Sequence, residues 1–209
     1  MFKIAVLVSG GGTDLQSIID SVEIGELNCK IEMVISSKEG AFAIDRAKKH
    51  GINYHVISKK EFGVEQSNKI LELTEGKVDL IVLAGYLSIL DGELLNRFSN
   101  KMINIHPSLI PSFCGDGMYG LNVHAAVIEK GVKFSGCTVH FVNNEVDGGA
   151  IILQEVVPVY FEDDAQSLQK RILEEEHKIL PKAIKLIAEK KVKIINNRVK
   201  IEKEDEVLF

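Results

Sequence analysis

Three stretches of the chain carry residue types that do chemistry. The first, Ser9-Gly10-Gly11-Gly12-Thr13-Asp14, follows an apolar run and precedes a helical pattern. Glycines let a backbone approach a ligand closely, and a helix start offers unpaired N–H groups at the positive end of its dipole. Together these favour an anion, most often a phosphate. The spacing is not the dinucleotide fingerprint, which would need glycine at Leu15, nor a P-loop, since no Gly-Lys-Ser/Thr follows. The plainer reading is a tight turn with Thr13 or Asp14 as the helix N-cap; phosphate binding is placed ahead of it. The second stretch is Asn104-Ile105-His106-Pro107-Ser108-Leu109. Side chains alternate along a strand, so Asn104 and His106 leave one face while Ile103 and Ile105 leave the other. Asn104 could donate to a developing oxyanion and His106 could move a proton near neutral pH. A buried pair that satisfies loop carbonyls fits these residues equally well. The third stretch is Glu145-Val146-Asp147-Gly148-Gly149. Asp followed by two glycines is commonly only a turn; a chemical role needs Asp147 to reach the strand end that carries His106. His140 reads as a supporting or core histidine, and His50, His55 and His177 as helix-end or surface residues. No His, Cys, Asp and Glu set has metal-ligand spacing, so no metal is expected. Cys114 has no evident base partner.

These stretches need elements to hold them. The apolar run at 4–8 suits a strand buried on both faces, as in parallel sheets. Apolar positions 15, 18, 19 and 22 then predict a helix. Further strands are expected at 31–35, 54–57 and 79–84, with helices around 41–50 and 61–75. That alternation predicts right-handed crossovers and an α/β layered fold with a mostly parallel sheet. A strand at 101–105 ends beside Pro107, which biases His106 toward extended backbone. The carboxyl end of such a strand is where open α/β sheets bind ligands. The long irregular stretch 108–121 suggests a functional loop. A helix around 122–130 follows, then strands at 135–142 and 150–157 whose connecting turn suggests an antiparallel pair. A helix over 164–190 should kink or divide at Pro181. The last twenty residues predict an edge hairpin.

Composition narrows the classes. The 209 residues suit one domain, and 45% apolar with 26% charged is the balance of a soluble globular chain. Lys and Arg number 25 against 30 Asp and Glu, a formal charge of −5, so a general nucleic-acid binder is disfavoured. The apolar runs are too short for a membrane span, and the N-terminus lacks the pattern of a signal peptide. The three cysteines, Cys29, Cys114 and Cys137, read as free thiols of a cytoplasmic protein.

Asn104-Ile105-His106-Pro107-Ser108-Leu109-Ile110-Pro111 resembles the central motif of the folate-dependent formyltransferases. Asp147-Gly148-Gly149 with Ile151-Ile152-Leu153-Gln154 resembles the same family's second signature. Ser9 to Gln16, Leu83-Ala84-Gly85-Tyr86 and Glu176-His177-Lys178-Ile179-Leu180-Pro181 are similar, in order and spacing, to the branch that serves purine synthesis. The resemblance covers nearly the whole chain. It implies a single three-layer Rossmann-like formyltransferase domain over 1–209, with a phosphate-binding half to about residue 100 and a catalytic, folate-binding half after it. It implies transfer of formyl from 10-formyltetrahydrofolate, as co-substrate, to the amine of 5-phosphoribosylglycinamide. Asn104 would hold the formyl oxygen, His106 would relay a proton, and Asp147 would raise the His106 pKa and assist. Gly11, Gly12, Thr13 and Asp14 would lie at the phosphate, with Glu176 on the ribose hydroxyls. Leu87, Ser88, Ile89, Leu90, Asn104 and Val146 would line the folate pocket. The chain departs from the family pattern at Ser88, where many relatives have Arg, at Asp14, where many have Asn, at Ala150 and near Glu65. Asp14 is expected to cap the helix and point away from the phosphate.

The rivals are a tRNA-directed or folate-hydrolysing member of the same family, and a non-catalytic phosphometabolite-binding domain that uses the glycine loop alone. The length and acidity favour one catalytic unit acting on small molecules, with monomer or homodimer left open.

Overall fold

The computed structural model describes residues 1–202. Five strands form the parallel part of the sheet: β1 (Phe2–Val8), β2 (Cys29–Ser36), β3 (Tyr54–Val56), β4 (Leu80–Leu83) and β5 (Met102–His106). Then β6 (Phe134–Phe141) and β7 (Ile151–Pro158) join antiparallel to β5 and to each other, giving the order β3-β2-β1-β4-β5-β6-β7. Ile4 to Val8 are wholly buried. Strand alternation sends Ile4, Val6 and Val8 into one core layer and Ala5 and Leu7 into the other. Helices α1 (Thr13–Glu23), α2 (Phe42–Lys49), α6 (Leu121–Lys130) and α7 (Ala165–Ala188) cover the first face. Helices α4 (Gln66–Thr74) and α5 (Gly92–Arg97) cover the second. The expected three-layer α/β architecture with its antiparallel C-terminal strands is the one observed. No helix among the described residues is long and apolar enough to cross a membrane.

The strand order positions the site. The chain steps from β1 outward to β2 and β3, then returns across β1 to β4. The loops after β1 and β4 therefore leave neighbouring parallel strands in opposite directions and open a crevice at their carboxyl ends, the usual ligand position of such sheets.

Four local expectations are corrected. Pro181 does not divide α7, a helix of 24 residues with the proline inside it. Ile179, Leu180, Ala183 and Ile184 are buried on both sides of the proline, so packing outweighs the lost hydrogen bond. The helix expected over 61–75 is interrupted. A short α3 (Lys59–Phe62), capped by Ser58, gives way to a 3-10 turn at Gly63–Glu65 before α4. Gly63 takes φ 54°, which glycine adopts without strain. The C-terminal hairpin, β8 (Val192–Ile195) and β9 (Arg198–Ile201), forms its own two-stranded sheet rather than extending the main one. Its turn, Asn196-Asn197, takes positive φ at both residues, as a two-residue hairpin loop requires. Residues 203–209, part of the expected hairpin region, lie outside the described residues. Lastly, α1 is capped by neither Thr13 nor Asp14: its N-cap is Gly12, left-handed at φ 68°.

Candidate active site

A cavity of about 560 Å³ opens at the carboxyl ends of β1, β4 and β5. Every residue singled out for catalysis or binding lines it: Gly11, Gly12, Thr13 and Asp14, Leu87 to Leu90, Asn104 and His106, Val146 and Asp147, and Glu176. Strand β5 brings Asn104 and His106 to the same face, while Ile103 and Ile105 enter the core behind them.

Asp147 does reach the strand end. The turn that carries it folds back against β6. A Cβ on Gly149 would overlap the carbonyl oxygen of Phe141, and a Cβ on Gly148 would lie 2.6 Å from a Glu145 carboxylate oxygen. Asp147 takes a left-handed φ of 54°, which lifts its carboxylate toward β5. Its Oδ2 lies 3.6 Å from His106 Nδ1 and its Oδ1 lies 3.6 Å from His140 Nε2. The backbone N–H of Gly115 donates to Oδ2 at 2.9 Å. Burial pushes the Asp147 carboxyl up, but the His140 ring, the Gly115 N–H and the neighbouring imidazoles together outweigh it and hold the group below its ordinary value. Asp147 is thus ionised at neutral pH.

His106 is buried, and its Nε2–H donates to the Phe113 carbonyl at 2.9 Å. That bond leaves Nδ1 as the lone-pair nitrogen, facing Asp147. Asp147 does act to raise the ring's pKa, as expected, but it does not set the net direction. The carboxylate and the Phe113 carbonyl do pull it up, but burial pushes it down harder, and the ring sits below its ordinary value. His106 is therefore a neutral imidazole at pH 7 whose free nitrogen can take a proton directly beside a carboxylate. His140 stands beside both Asp147 and Asn104. Its Nδ1–H donates to the Phe141 carbonyl at 2.9 Å, so Nε2 accepts from the Asn104 amide at 3.2 Å. The bond fixes which way the Asn104 amide faces and leaves its other N–H for a ligand oxygen.

The glycine loop and α7 form the opposite end. Asp14 does not cap the helix as expected. Its side chain is buried, Oδ1 has no hydrogen-bond partner, and His177 Nε2 lies 3.9 Å away. Burial raises Asp14 to about 6. Burial and the Asp14 charge raise Glu176 well above its usual range. Two carboxyls at one place cannot both ionise cheaply, so the pair keeps a proton at neutral pH. His177, expected at the surface, is half-buried against this pair.

Between the two ends, Leu87, Ile89 and Val146 stand more than half exposed at the cavity mouth, with Leu90 buried beneath them. The Leu87 N–H is anchored on Ser9 Oγ, which shares a hydrogen bond with Ser37 Oγ at 2.6 Å. Such open apolar walls beside backbone polar groups fit a flat heteroaromatic ring with polar edges.

The model of the family described as Formyl transferase matches residues 2–184. The chain belongs to the formyl transferase family. It is 44% identical over 200 residues to the phosphoribosylglycinamide formyltransferase of Haemophilus influenzae, covering 94% of this chain and 92% of that protein. It is 42% identical over 198 residues to the human trifunctional purine biosynthetic protein adenosine-3, of which it spans 19% while 93% of this chain is covered. The crystal structure of glycinamide ribonucleotide transformylase 1 from Symbiobacterium toebii superposes with a TM-score of 0.92 at 40% identity, covering 97% of this chain and 95% of that one.

In this formyl transferase the stretch 108–121 is not a structureless connection. Ser108 Oγ donates to the Ser112 carbonyl at 2.6 Å, Gln154 Nε2 to the Ile110 carbonyl at 3.0 Å, and Gly115 to Asp147 as described. The Cys114 thiol donates to the Pro111 carbonyl at 3.3 Å, and burial raises its pKa, so it is no activated nucleophile. Sequence reasoning missed Gly115 to Tyr119, Gln169 and Leu173, which also line the cavity, and above all His124. That side chain is 1% exposed, its Nδ1 is unpartnered, and burial with the nearby His106 ring pushes its pKa down to about 4. The signal was present: Val123 and Val127 mark the inward face of α6, and His124 lies on that face.

Proposed function

We propose that the protein transfers a formyl group from 10-formyltetrahydrofolate to the amine of 5-phosphoribosylglycinamide, a step of purine synthesis. The products are formylglycinamide ribonucleotide and tetrahydrofolate. We place it among cytoplasmic enzymes that act on small molecules. The observation that carries the reading is the convergence of Asn104, His106 and Asp147 in one cavity whose far end is the glycine loop.

The amine nitrogen bonds to the formyl carbon, and the bond from that carbon to the folate N10 breaks. One proton passes overall from the amine to N10. Asn104, oriented by His140, donates its free amide N–H to the formyl oxygen as charge develops there, the placement that makes an oxyanion donor effective. His106 accepts a proton at Nδ1, where the Asp147 carboxylate 3.6 Å away stabilises the imidazolium. Both reactants lie in one cavity, so much of the barrier is met by proximity. Gly11 to Asp14 take the phosphate, Glu176 the ribose hydroxyls, and Leu87 to Leu90 with Val146 the folate ring.

The test mixes the enzyme with 10-formyltetrahydrofolate and the amine and follows the folate absorbance. Acceptor-dependent formation of tetrahydrofolate is expected. Turnover that needs no acceptor would instead mark a hydrolase, and no turnover at all a binding domain. Asp147→Asn keeps the shape but removes the charge, and is expected to lower kcat by about 10²–10⁴-fold, the range of one lost proton-transfer partner.

A further inference from the structure

We propose that Arg46 is a positioning residue for the substrate phosphate, acting through the backbone of the glycine loop. The inference rests on the phosphate-binding reading of that loop given above.

The carbonyls of the three glycines are all engaged. Gly10 accepts from the Ala43 N–H at 3.1 Å, Gly12 from the Gln16 N–H at 3.0 Å, and Gly11 from Arg46 Nε at 2.9 Å. The donors to Gly10 and Gly12 are backbone groups that almost any sequence would supply. The donor to Gly11 is a side chain, and Arg46 alone provides it. In a trans peptide the C=O and the following N–H point in opposite directions. Fixing the Gly10 and Gly11 carbonyls against α2 therefore turns the N–H groups of Gly11 and Gly12 away from α2, to the side on which the loop lines the cavity.

Arg46 is itself held. Its Nη1 donates to Gln16 Oε1 at 2.9 Å, and its guanidinium lies 5.2 Å from the centre of the Phe42 ring. The contact between α2 and the loop is close: a Cβ on Gly12 would lie 2.6 Å from Ala43 Cβ and 3.5 Å from Arg46 Cδ. A longer side chain at position 12 would push α2, and the guanidinium with it, off the loop.

The charge matters as well as the geometry. No lysine or arginine lines the cavity among the described residues, whereas Asp14 and Glu176 do. A phosphate at the loop meets backbone N–H groups and no side-chain cation. Arg46 places its positive charge one peptide behind them, where it polarises the Gly11–Gly12 peptide toward the anion without contacting it.

The experiment crosses two acceptors with three enzymes. The acceptors are 5-phosphoribosylglycinamide and the same amine with its phosphate removed. The enzymes are the wild type, Arg46→Met and Arg46→Lys, each checked for folding by circular dichroism. The wild type should favour the phosphorylated acceptor in kcat/KM. Arg46→Met should lower that preference about tenfold, the scale of one charge-assisted hydrogen bond, through KM for the phosphorylated acceptor with the KM for folate unmoved. Arg46→Lys keeps a cation but cannot bond Gly11 and Gln16 together, so its preference should lie between the two. Equal losses on both acceptors in the Met variant would reduce Arg46 to a structural residue and overturn the proposal. Should the Met variant not fold, a Lys variant with the full wild-type preference would overturn it. A wild type indifferent to the phosphate would overturn the phosphate-loop reading itself.

Discussion

Replacing Asp14 by Asn should stabilise the protein above pH 6 and do progressively less below it. The side chain is 8% exposed and its Oδ1 has no hydrogen-bond partner. Glu176 and His177 on α7 face it, the latter at 3.9 Å. Burial raises the folded-state pKa from 3.8 to about 6. A group whose pKa is raised on folding binds its proton more tightly in the folded state. Its contribution is therefore complete below pH 3.8 and is lost as pH rises through about 6. At 1.36 kcal/mol per pH unit, that span is worth about 3 kcal/mol. Asn carries no charge, so the variant escapes the loss. It also removes the charge that helps raise Glu176, an effect of the same sign. Urea unfolding of both proteins from pH 4 to 7.5, without ligand, isolates the Asp14 and Glu176 pair, because titrations elsewhere cancel in the difference. The stability of Asp14→Asn minus that of the wild type should climb by about 2.4 kcal/mol across the range. A difference that stays flat, or falls as pH rises, would refute the claim that an unpaired carboxyl is buried here.

His124 gives the opposite sign. Its folded pKa lies near 4, below that of a free imidazole, so its contribution is intact above pH 6.5 and lost as pH falls toward 4, a matter of about 3 kcal/mol. The stability gap between wild type and His124→Gln should accordingly shrink on acidification, and equal gaps at pH 7 and pH 4.5 would count against a buried neutral ring. Gly149→Ala drives a Cβ into the Phe141 carbonyl and should cost about 3 kcal/mol, seen as a fall in Tm, with loss of activity as Asp147 is displaced; a variant with unchanged Tm would show that the turn can yield. Asn104→Ala should lower kcat by about 10²–10³-fold with KM for either reactant changed far less, and a mutant defective only in KM would remove Asn104 from the oxyanion role.

What the sequence made legible is what short-range patterns encode. The run Ile4 to Val8 is apolar without interruption because the strand is buried on both faces, and the glycines after it announce the turn. The pair Asn104 and His106 was readable because the period of a strand is two. Long-range proximity was not readable from such patterns. Nothing in Asp147-Gly148-Gly149 says that the turn folds onto β5; that depends on the antiparallel pairing of β5, β6 and β7 and on the Phe141 carbonyl under Gly149. Only the family resemblance supplied that contact in advance. Local rules also failed where packing overrode them. Pro181 stays within α7 because its neighbours are buried, and Asp14, a good helix cap by type, does not cap α1 because the left-handed Gly12 holds the N-cap position. His124 escaped because a lone histidine in an otherwise apolar helix face carries no motif, although its burial makes it one of the most perturbed groups in the cavity.

The two ends of the cavity treat their titratable groups in opposite ways, and the difference suits the two reactants. At the β5 end, burial keeps His106 and His124 toward neutrality while hydrogen bonds and imidazoles keep Asp147 ionised. An amine about to lose a proton thus meets an available base backed by a fixed negative charge. At the glycine-loop end, the same burial works on carboxyls and pushes Asp14 and Glu176 up. Two full negative charges there would repel a phosphate across a low-dielectric wall; a pair that retains a proton repels it less and supplies an O–H donor. On the proposed reading backbone N–H groups are the main phosphate donors at that end, so affinity would depend on how firmly the loop is held, and the Arg46 bond to the Gly11 carbonyl would bear on substrate choice although Arg46 does not line the cavity. Raising pH past 6 should therefore weaken phosphate binding before it affects the chemistry at β5, so KM for the phosphorylated acceptor should rise while KM for the folate holds. Parallel changes in both would place the titrating group at β5 instead.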